Sequence, residues 1–450
     1  MKRTLALLMT LVMLATMLAS MPAAMADEPI TLRLWGGVQP EYGYADIVEN
    51  FNKEFKDKGL QLEYVRYVND ANGNLQLDTY LMAGGEIDIF MGYGGTGRLF
   101  PRVDAGVVLE MTPYLEAAGF DPFVELGEAA VAQYIIDDKY YAVPTKYENN
   151  QYWFANVEMF EAAGIPLPYG GWTYSEFLAA VEKLTHGEGM DKVYGMYWGM
   201  NKLMDQTSAF LNAMNQPYAV YTDASCESVQ IETLKEGLEV IKATTDNGWA
   251  PSIEDEKADD LSLPTVFLEG KAAITTGIAQ IRVVKDVETY PRDFTVAIIP
   301  APVPDDLFET KATHSYVNGA GDLICVSSKT EYPQECMDFV IWYIKGGMAP
   351  LAKGGRIPLW KGFDGNAVAD SLMTGAEGVF TVESIVNYMA VEKTKAQTVL
   401  NMPKYAQSEI DTLRTEAIEA VLYGQKDIDS ALNEFKTKAD KMIADAIANK

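Results

Sequence analysis

Cysteine and histidine are scarce in this sequence. Its 450 residues contain three cysteines, Cys226, Cys325 and Cys336, and two histidines, His186 and His314. No C-x-x-C spacing occurs, so the sequence predicts neither a disulfide framework nor a zinc cluster, and at most one disulfide bond can form. The two histidines are not at helical spacing, so we expect no histidine-based metal site and no catalytic triad.

Positive charge is also in short supply. The chain has 36 Lys and Arg against 64 Asp and Glu, which gives a net charge of −28 at pH 7. This excess of negative charge repels nucleic-acid phosphates and anionic lipid headgroups, so we exclude nucleic acid as a partner. In other respects the composition, with 48% hydrophobic residues, is that of an ordinary globular protein. The length favours more than one compact unit.

Long hydrophobic runs are absent beyond the first segment. Lys2-Arg3 precedes an apolar run from Leu5 to Met21, which is followed by an A-x-A pattern. These features predict a cleaved signal peptide over residues 1–26. No later run approaches the roughly 20 residues that span a bilayer. No cysteine precedes Cys226, so a lipid-attachment cysteine is absent, and we expect an exported protein that is periplasmic, at the cell surface or secreted.

The first part of the mature chain alternates between strand and helix patterns. Strands are expected at 31–35, 60–64 and 87–91, and apolar residues recur at helical spacing from Ile47 to Phe55 and again at about 74–82. Alternation of this kind produces right-handed crossovers on a parallel sheet. The sequence therefore predicts an α/β fold in which helices cover both faces of a mainly parallel sheet.

A second α/β pattern starts with a strand at 151–155. Further strands are expected at 272–276 and 294–299, and a helical tail follows Asp427. One helix start is well marked, because Thr173 can cap the free N–H groups, Glu176 can reach back, and Trp172 can pack on Phe177.

The segment from Gly92 to Gly97 has the spacing G-x-G-x-x-G directly after a strand. A dinucleotide site needs this motif in the first crossover, where it opens a smooth helix. Here it follows the third strand, and Pro101 is expected to interrupt the next helix, so we expect no cofactor. We interpret the segment as a flexible loop at the carboxyl edge of the sheet, where its N–H groups can approach a ligand.

Aromatic residues and acids offer two further interpretations. Trp35, Tyr93, Tyr152, Trp153 and Trp198 can either stack on sugar rings or belong to the core. The many carboxylates can always supply a pair of the kind that glycosidases use, but no pair stands out in the sequence.

Several short segments form a pattern whose order and spacing are specific, although each is weak alone. They are Ala83-Gly84-Gly85-Glu86-Ile87-Asp88-Ile89, Tyr141-Ala142-Val143-Pro144, Ala163-Gly164-Ile165-Pro166, Trp172 to Phe177, Phe267 to Ala273, Pro300 to Pro304, and Gly355-Arg356-Ile357-Pro358. In this pattern the chain resembles the extracellular solute-binding proteins of ABC transporters, specifically the sugar-binding family that includes the maltodextrin-binding proteins. The resemblance covers nearly all of the mature chain.

The resemblance implies two α/β lobes, each with a mainly parallel sheet, joined by a hinge that the chain crosses near Val143, Pro300 and Lys345. The first lobe would comprise residues 27–143 and 300–345, and the second lobe residues 144–299 and 346–450. Proteins of this family close on a ligand held between the lobes and dock on the permease subunits of an importer. It further implies a monomer without catalytic residues, cofactor or metal.

The resemblance also implies a set of ligand-binding residues. They are Trp35, Gln39, Tyr93, Thr96, Glu148, Asn149, Gln151, Trp198, Gln280, Arg282, Tyr316, Asn318 and Arg356. Many relatives carry a stacking aromatic just after Gly277, where this chain has Ile278-Ala279-Gln280. Trp198 and Trp35 are therefore the main stacking candidates.

From these observations we expect a non-catalytic receptor that binds a carbohydrate, most simply an oligosaccharide, and delivers it to an ABC import permease. Two alternatives stay open at this point. One is a receptor for another solute, such as a polyamine or a metal complex, and the other is an exported glycoside hydrolase with two carboxylates.

Overall fold

A computed structural model describes residues 29–148, 152–200, 221–223, 225–277, 280–307, 316–389, 394–396 and 405–449 of the chain. The predicted signal peptide lies outside these residues. Within them, no helix is both long and apolar enough to cross a membrane.

Strands and helices alternate along most of the described chain. The strands are β1 (Ile30–Gly36), β2 (Leu60–Arg66), β3 (Ile89–Gly92), β4 (Ile135–Ile136), β5 (Lys139–Tyr140), β6 (Val143–Glu148), β7 (Tyr152–Asn156), β8 (Tyr194–Tyr197), β9 (Ala272–Thr275), β10 (Val296–Pro300), β11 (Tyr316–Val326) and β12 (Thr394–Ala396). The strands predicted in the first part and those at β7, β9 and β10 are confirmed to within a few residues.

The helices cover the sheets between these strands. They are α1 (Tyr44–Glu54), α2 (Ala71–Ala83), α3 (Gly95–Asp104), α4 (Thr112–Ala117), α5 (Pro122–Leu126), α6 (Glu128–Val131), α7 (Val157–Ala163), α8 (Tyr174–Leu184), α9 (Glu232–Asp246), α10 (Ile253–Ala258), α11 (Ile281–Lys285), α12 (Pro333–Trp342), α13 (Gly365–Met373), α14 (Val382–Met389), α15 (Gln407–Leu422) and α16 (Ile428–Ala448). Short 3-10 turns include Pro40–Tyr42 and Ala349–Gly354, and π turns lie at Pro264–Leu268 and Tyr343–Gly347.

The first sheet has the strand order β12-β11-β3-β1-β2, and β6 pairs with β11. β1 is parallel to β2 and β3, as predicted, whereas β11 is antiparallel to both β3 and β6. The carboxyl end of β3 therefore lies beside the middle of β11, and β1 follows as the next strand in the sheet. This arrangement positions the site described below.

The second sheet has the strand order β10-β7-β9-β8. It is not mainly parallel, which corrects the expectation for this lobe, because β7 is antiparallel to both β10 and β9. The reason lies in the path of the chain: β7 carries it into this sheet and β10 carries it out again, so these neighbours run in opposite directions.

Each sheet has its own hydrophobic core, and the chain accordingly forms two lobes. The first core lies on the first sheet and includes Ile47 and Phe51 of α1. In the second lobe, Trp153 of β7 points into one core and Phe154 into another, because successive side chains of a strand alternate between its faces. Helices α15 and α16 pack on the core that contains Trp153. β6 of the first sheet runs on to Glu148, past the predicted boundary at Val143.

Local sequence signals explain several helix ends. Thr173 and Glu176 form the predicted capping box of α8, and the rings of Trp172 and Phe177 meet edge to face with centroids 5.3 Å apart. Asp427 caps α16 as predicted. Pro101 does not interrupt a helix, because α3 continues through it to Asp104, and this corrects the expectation from the sequence.

The three cysteines are free thiols. Cys226, Cys325 and Cys336 are each buried in the fold, and no two of them form a disulfide bond.

Candidate functional site

A polar cavity of about 440 Å³ lies at the carboxyl ends of β1 and β3, where β11 passes them. Ligands often bind at this edge of α/β sheets, because the loops that leave the parallel strands diverge there. The cavity is lined by Gly37, Val38, Asn69, Tyr93, Gly94, Gly95, Tyr134, Ala320, Gly321, Asp322 and Arg356.

An ion pair between Asp322 and Arg356 dominates this cavity. Arg356 Nε donates a hydrogen bond to Asp322 Oδ2 at 2.7 Å, and Lys146 Nζ lies 3.9 Å from Asp322 Oδ1. The side chains of Asp322 and Arg356 are 11% and 20% exposed. So little solvent contact strengthens their electrostatic attraction, and it makes the loss of either partner costly.

The surrounding charges control the protonation of the pair. Burial alone would raise the pKa of Asp322, but the positive charges of Lys146 and Arg356 outweigh burial and hold that pKa below its usual value. Burial would likewise lower the pKa of Arg356, and the Asp322 carboxylate instead raises it above its ordinary value. Both groups are therefore charged at neutral pH. A fixed carboxylate and a fixed guanidinium are well suited to hydrogen-bond hydroxyl groups.

The backbone at Asp322 is strained. Its φ is +47°, although it lies within β11, and its carbonyl oxygen accepts a hydrogen bond from Thr145 Oγ1 at 2.7 Å. Asp tolerates the left-handed region better than most residues other than Gly. Strain of this kind is concentrated at functional sites, where the surrounding structure holds it in place.

The two residues after β3 and the first turn of α3 form one wall of the cavity. Gly95 to Gly97 are helical, because α3 begins at Gly95, and this corrects the prediction of a flexible loop over this segment. The Tyr93 hydroxyl accepts a hydrogen bond from the Gly37 N–H at 3.0 Å, and a Cβ on Gly37 would lie 2.9 Å from the Tyr93 ring. Gly37 is therefore needed for the close approach of these two segments. Tyr93 and Thr96 are both largely buried. They support this wall, and Gly94 and Gly95 line the cavity.

Arg282 approaches the same ion pair from the second lobe. It lies in α11, which is anchored in the second lobe by the buried Ile281. Its guanidinium lies 5.9 Å from the ring centroid of Tyr42 in the first lobe. Burial and then the nearby charge of Arg356 lower the pKa of Arg282. Of the predicted ligand-binding residues, the structure thus brings Tyr93, Arg356 and Arg282 together.

Comparison with known protein families decides what kind of protein has this site. Residues 46–370, which include parts of both lobes and most of the cavity, match the family model of the bacterial extracellular solute-binding proteins. The chain belongs to this family.

Solved structures share the fold of this solute-binding protein over nearly their whole length. They include a sugar transporter from Rhizobium etli in an open conformation (20% identity, TM-score 0.71, covering 92% of this chain and 99% of the other). The sugar-binding protein MalE from Xanthomonas citri is similar too (16%, 0.66, 92% and 98%). So is UgpB from Mycobacterium tuberculosis in complex with glycerophosphocholine (15%, 0.67, 93% and 99%). Among curated proteins, none matches the sequence significantly.

Both tryptophans predicted to stack on the ligand of this solute-binding protein lie in its cores. Trp35 is 5% exposed, donates its Nε1–H to Glu86 O, and packs against Tyr80. Trp198 has no exposed surface and donates its Nε1–H to Thr244 Oγ1 at 2.7 Å. Neither ring presents a face to a ligand in this structure, which corrects that part of the prediction.

The other predicted residues are placed less directly. Gln39 follows the cavity residue Val38, and Gln280 precedes the first residue of α11. Glu148 lies at the end of β6 and pairs with Gly319 of β11. Tyr316 and Asn318 are in β11, opposite β12, and Asn149 and Gln151 lie outside the described residues.

Sequence reasoning missed the carboxylate of this site. Asp322 is one acid among 64 Asp and Glu residues, so composition gave it no distinction. The available signal was the two glycines Gly319 and Gly321 just before it in the same strand, because glycines inside strands often mark irregular backbone. The irregularity here is the left-handed conformation of Asp322 itself.

Metal binding and histidine chemistry find little support in the described part of the chain. There, no group of three or more His, Cys, Asp or Glu side chains could hold a metal ion. His186 is exposed, and its Nδ1 lies 2.9 Å from the Leu184 carbonyl oxygen. His314 lies outside the described residues.

Proposed function

We propose that this solute-binding protein is a non-catalytic receptor that binds a carbohydrate between its two lobes and delivers it to an ABC import permease. The observation that carries the proposal is the cavity at the edge of the first sheet, with the Asp322–Arg356 ion pair inside it. Sugar hydroxyls both donate and accept hydrogen bonds, and this pair offers fixed partners of both kinds. The names of the Rhizobium and Xanthomonas relatives point to the same class of solute.

The residues that line the cavity favour a receptor over a glycoside hydrolase. Glycoside hydrolases of the usual kind need two carboxyl groups on either side of the scissile bond. Among the described residues that line the cavity, Asp322 is the single carboxylate, and Arg356 already holds it in an ion pair.

A second candidate is a polar solute that carries an anionic group. The observation in its favour is that Arg282 lies near Arg356, because guanidinium groups are the preferred protein partners of carboxylates and phosphates. The glycerophosphocholine complex of the mycobacterial relative belongs to this chemical class. A polyamine, which is cationic, is disfavoured by the same two arginines.

Thermal unfolding of the mature chain, residues 27–450, with a panel of solutes tests the proposal. The panel contains maltotriose, glucose, glucuronic acid, glycerophosphocholine and spermidine. A solute at a hundred times its dissociation constant adds about 2.7 kcal/mol to the native state and raises the melting temperature by roughly a few degrees. We expect a rise with a sugar and an unchanged amount of sugar afterwards, as measured by chromatography.

A matched pair of variants ties the effect to the cavity. Arg356→Lys keeps the charge but loses the fork of donors, so we expect it to abolish the rise in melting temperature caused by the sugar. Arg102→Lys is the control, because Arg102 forms an equally close ion pair with Asp78 in the same lobe, at 2.6 Å, and does not line the cavity. If the two variants responded equally to the sugar, or if the sugar were consumed, the proposal would be wrong.

A further inference from the structure

Lys285 is a buried cation in the second lobe that lies outside the cavity. It is the last residue of α11 and is 7% exposed. Its Nζ donates hydrogen bonds to the carbonyl oxygens of Lys353 at 3.0 Å and Leu372 at 2.5 Å. A lysine this deeply buried is unusual in proteins, because its ammonium group gives up hydration.

Both acceptors of Lys285 are helix-end carbonyls. Lys353 is near the end of the short 3-10 helix Ala349–Gly354, and Leu372 is in the last turn of α13. Carbonyl groups in the last turn of a helix lack partners within the helix and carry the negative end of its dipole. The ammonium group of Lys285 therefore joins three segments that are distant in sequence.

Two of the three joined segments lead directly to the two arginines of the site. α11 carries Arg282, and the turn Ala349–Gly354 continues into Gly355 and Arg356. Contact between α11 and this turn is close, since a Cβ on Gly355 would lie 2.3 Å from Ile281 Cγ2. Arg282 and Arg356 carry like charges and repel each other, so holding them near one another requires a restraint.

We propose that Lys285 is a positioning residue for the solute site: by tying α11 to the turn before Arg356, it fixes the guanidinium of Arg282 relative to that of Arg356. This proposal rests on the proposed function, because the relative position of the two arginines affects binding only if both contact the solute. Lys285 itself does not line the cavity. Its effect on binding is thus exerted through the arginines.

Arginine signals in nuclear magnetic resonance spectra of the solute-free protein test the positioning directly. The mature chain is labelled with ¹³C at arginine Cζ, and the signals of Arg282 and Arg356 are assigned by Arg→Lys variants. Lys285→Met keeps the length of the side chain and removes the ammonium group. We expect it to shift both signals, while the signal of Arg102 in the first lobe stays in place.

A control variant shows whether the loss of any bond from a lysine to a backbone carbonyl would have the same effect. Lys361→Met removes another ammonium group that donates to a backbone carbonyl, that of Val124 at 2.9 Å. We expect it to leave the signals of Arg282 and Arg356 unchanged. If Lys285→Met failed to fold, Lys285→Gln, which retains a donor without the charge, would take its place. Unchanged Arg282 and Arg356 signals in the folded variant would overturn the proposal.

The same variants connect the positioning to binding. In the maltotriose arm of the solute panel, we expect Lys285→Met to lose most of the rise in melting temperature, and Lys361→Met to keep it. The spectra contain no solute, so they judge the role of Lys285 even if no member of the panel binds. A panel without any response would count against the proposed function alone, and a full response in Lys285→Met would count against the positioning role.

Discussion

At the scale of single residues, Asp322 has two separate requirements that few side chains meet. Its backbone is left-handed, and its carboxylate neutralises the buried cation Arg356. Asn can adopt the same backbone conformation but has no charge. Exchange of Asp for Asn therefore separates the electrostatic requirement from the conformational one.

We expect Asp322→Asn to lower the free energy of unfolding by about 3 kcal/mol, because it leaves the charge of Arg356 uncompensated in a site with little solvent. Equilibrium unfolding in urea at pH 7 measures this loss. Glu269→Gln is the control: Glu269 pairs with Lys271 at 2.6 Å, but both side chains are about half exposed (53% and 52%), so the expected loss is about 1 kcal/mol or less. Equal losses would show that the burial of the pair does not matter.

At this scale, the structure places only some of the predicted site residues in the cavity. Arg356 and Tyr93 were identified by resemblance to a family, and the structure places both in the cavity. Trp35 and Trp198 belong to the cores instead, because nothing in the local sequence distinguishes a buried indole from one that faces a ligand. Asp322 could not be found, since its partners Lys146 and Arg356 are distant in sequence and meet only in the fold.

At the scale of elements, the start of α8 is an example of a structure that neighbouring residues determine by themselves. Thr173 Oγ1 accepts a hydrogen bond from the Glu176 N–H at 3.1 Å, and the Glu176 carboxylate accepts one from the Thr173 N–H at 2.8 Å. All the atoms involved lie within four residues of one another. This explains why the sequence alone sufficed to predict the cap.

Thr173→Ala removes this cap, and we expect it to lower the free energy of unfolding by about 1 kcal/mol. Ser175→Ala, two residues on in the exposed first turn of α8, should change it by no more than about 0.5 kcal/mol. Urea unfolding of both variants makes the comparison. A loss as large in the Ser175 variant would show that the effect of Thr173→Ala does not come from the cap.

Strand direction in the second sheet is a feature that local sequence patterns do not predict. The strands β7, β9 and β10 were predicted at nearly the right places, but their pairing was expected to be mainly parallel. Apolar strands that are buried on both faces have the same composition in either direction. Only the path of the chain between the lobes decides that β7 and β10 are antiparallel neighbours.

At the scale of the whole molecule, the buried Lys285 links stability to pH. Burial and the nearby charge of Lys353 lower its pKa to about 8, although Glu377 partly opposes this. In the unfolded chain the pKa of lysine is about 10.4. Between these two values the unfolded state binds more protons than the folded state, so this group makes stability rise with pH.

We therefore compare the free energy of unfolding of the natural protein with that of Lys285→Met from pH 7 to pH 10. The difference should stay constant below about pH 8 and then change in favour of the natural protein toward pH 10, as the cost of burying the charge disappears. Titration of tyrosines and other groups is common to both proteins and cancels. A difference that stayed constant up to pH 10 would contradict a lowered pKa at Lys285.

The position of β11 in the first sheet has a consequence for how the chain folds. β11 pairs with β3 and β6, yet the four strands of the second sheet lie between β6 and β11 in the sequence. Closing so long a stretch of chain costs entropy, and sheets with such distant pairings fold slowly. The cavity needs residues 320–322 and Arg356 as well as the loops after β1 and β3. During synthesis the proposed solute site is thus completed only after most of the chain has been made, and an emerging chain that lacks β11 has no such cavity to occupy.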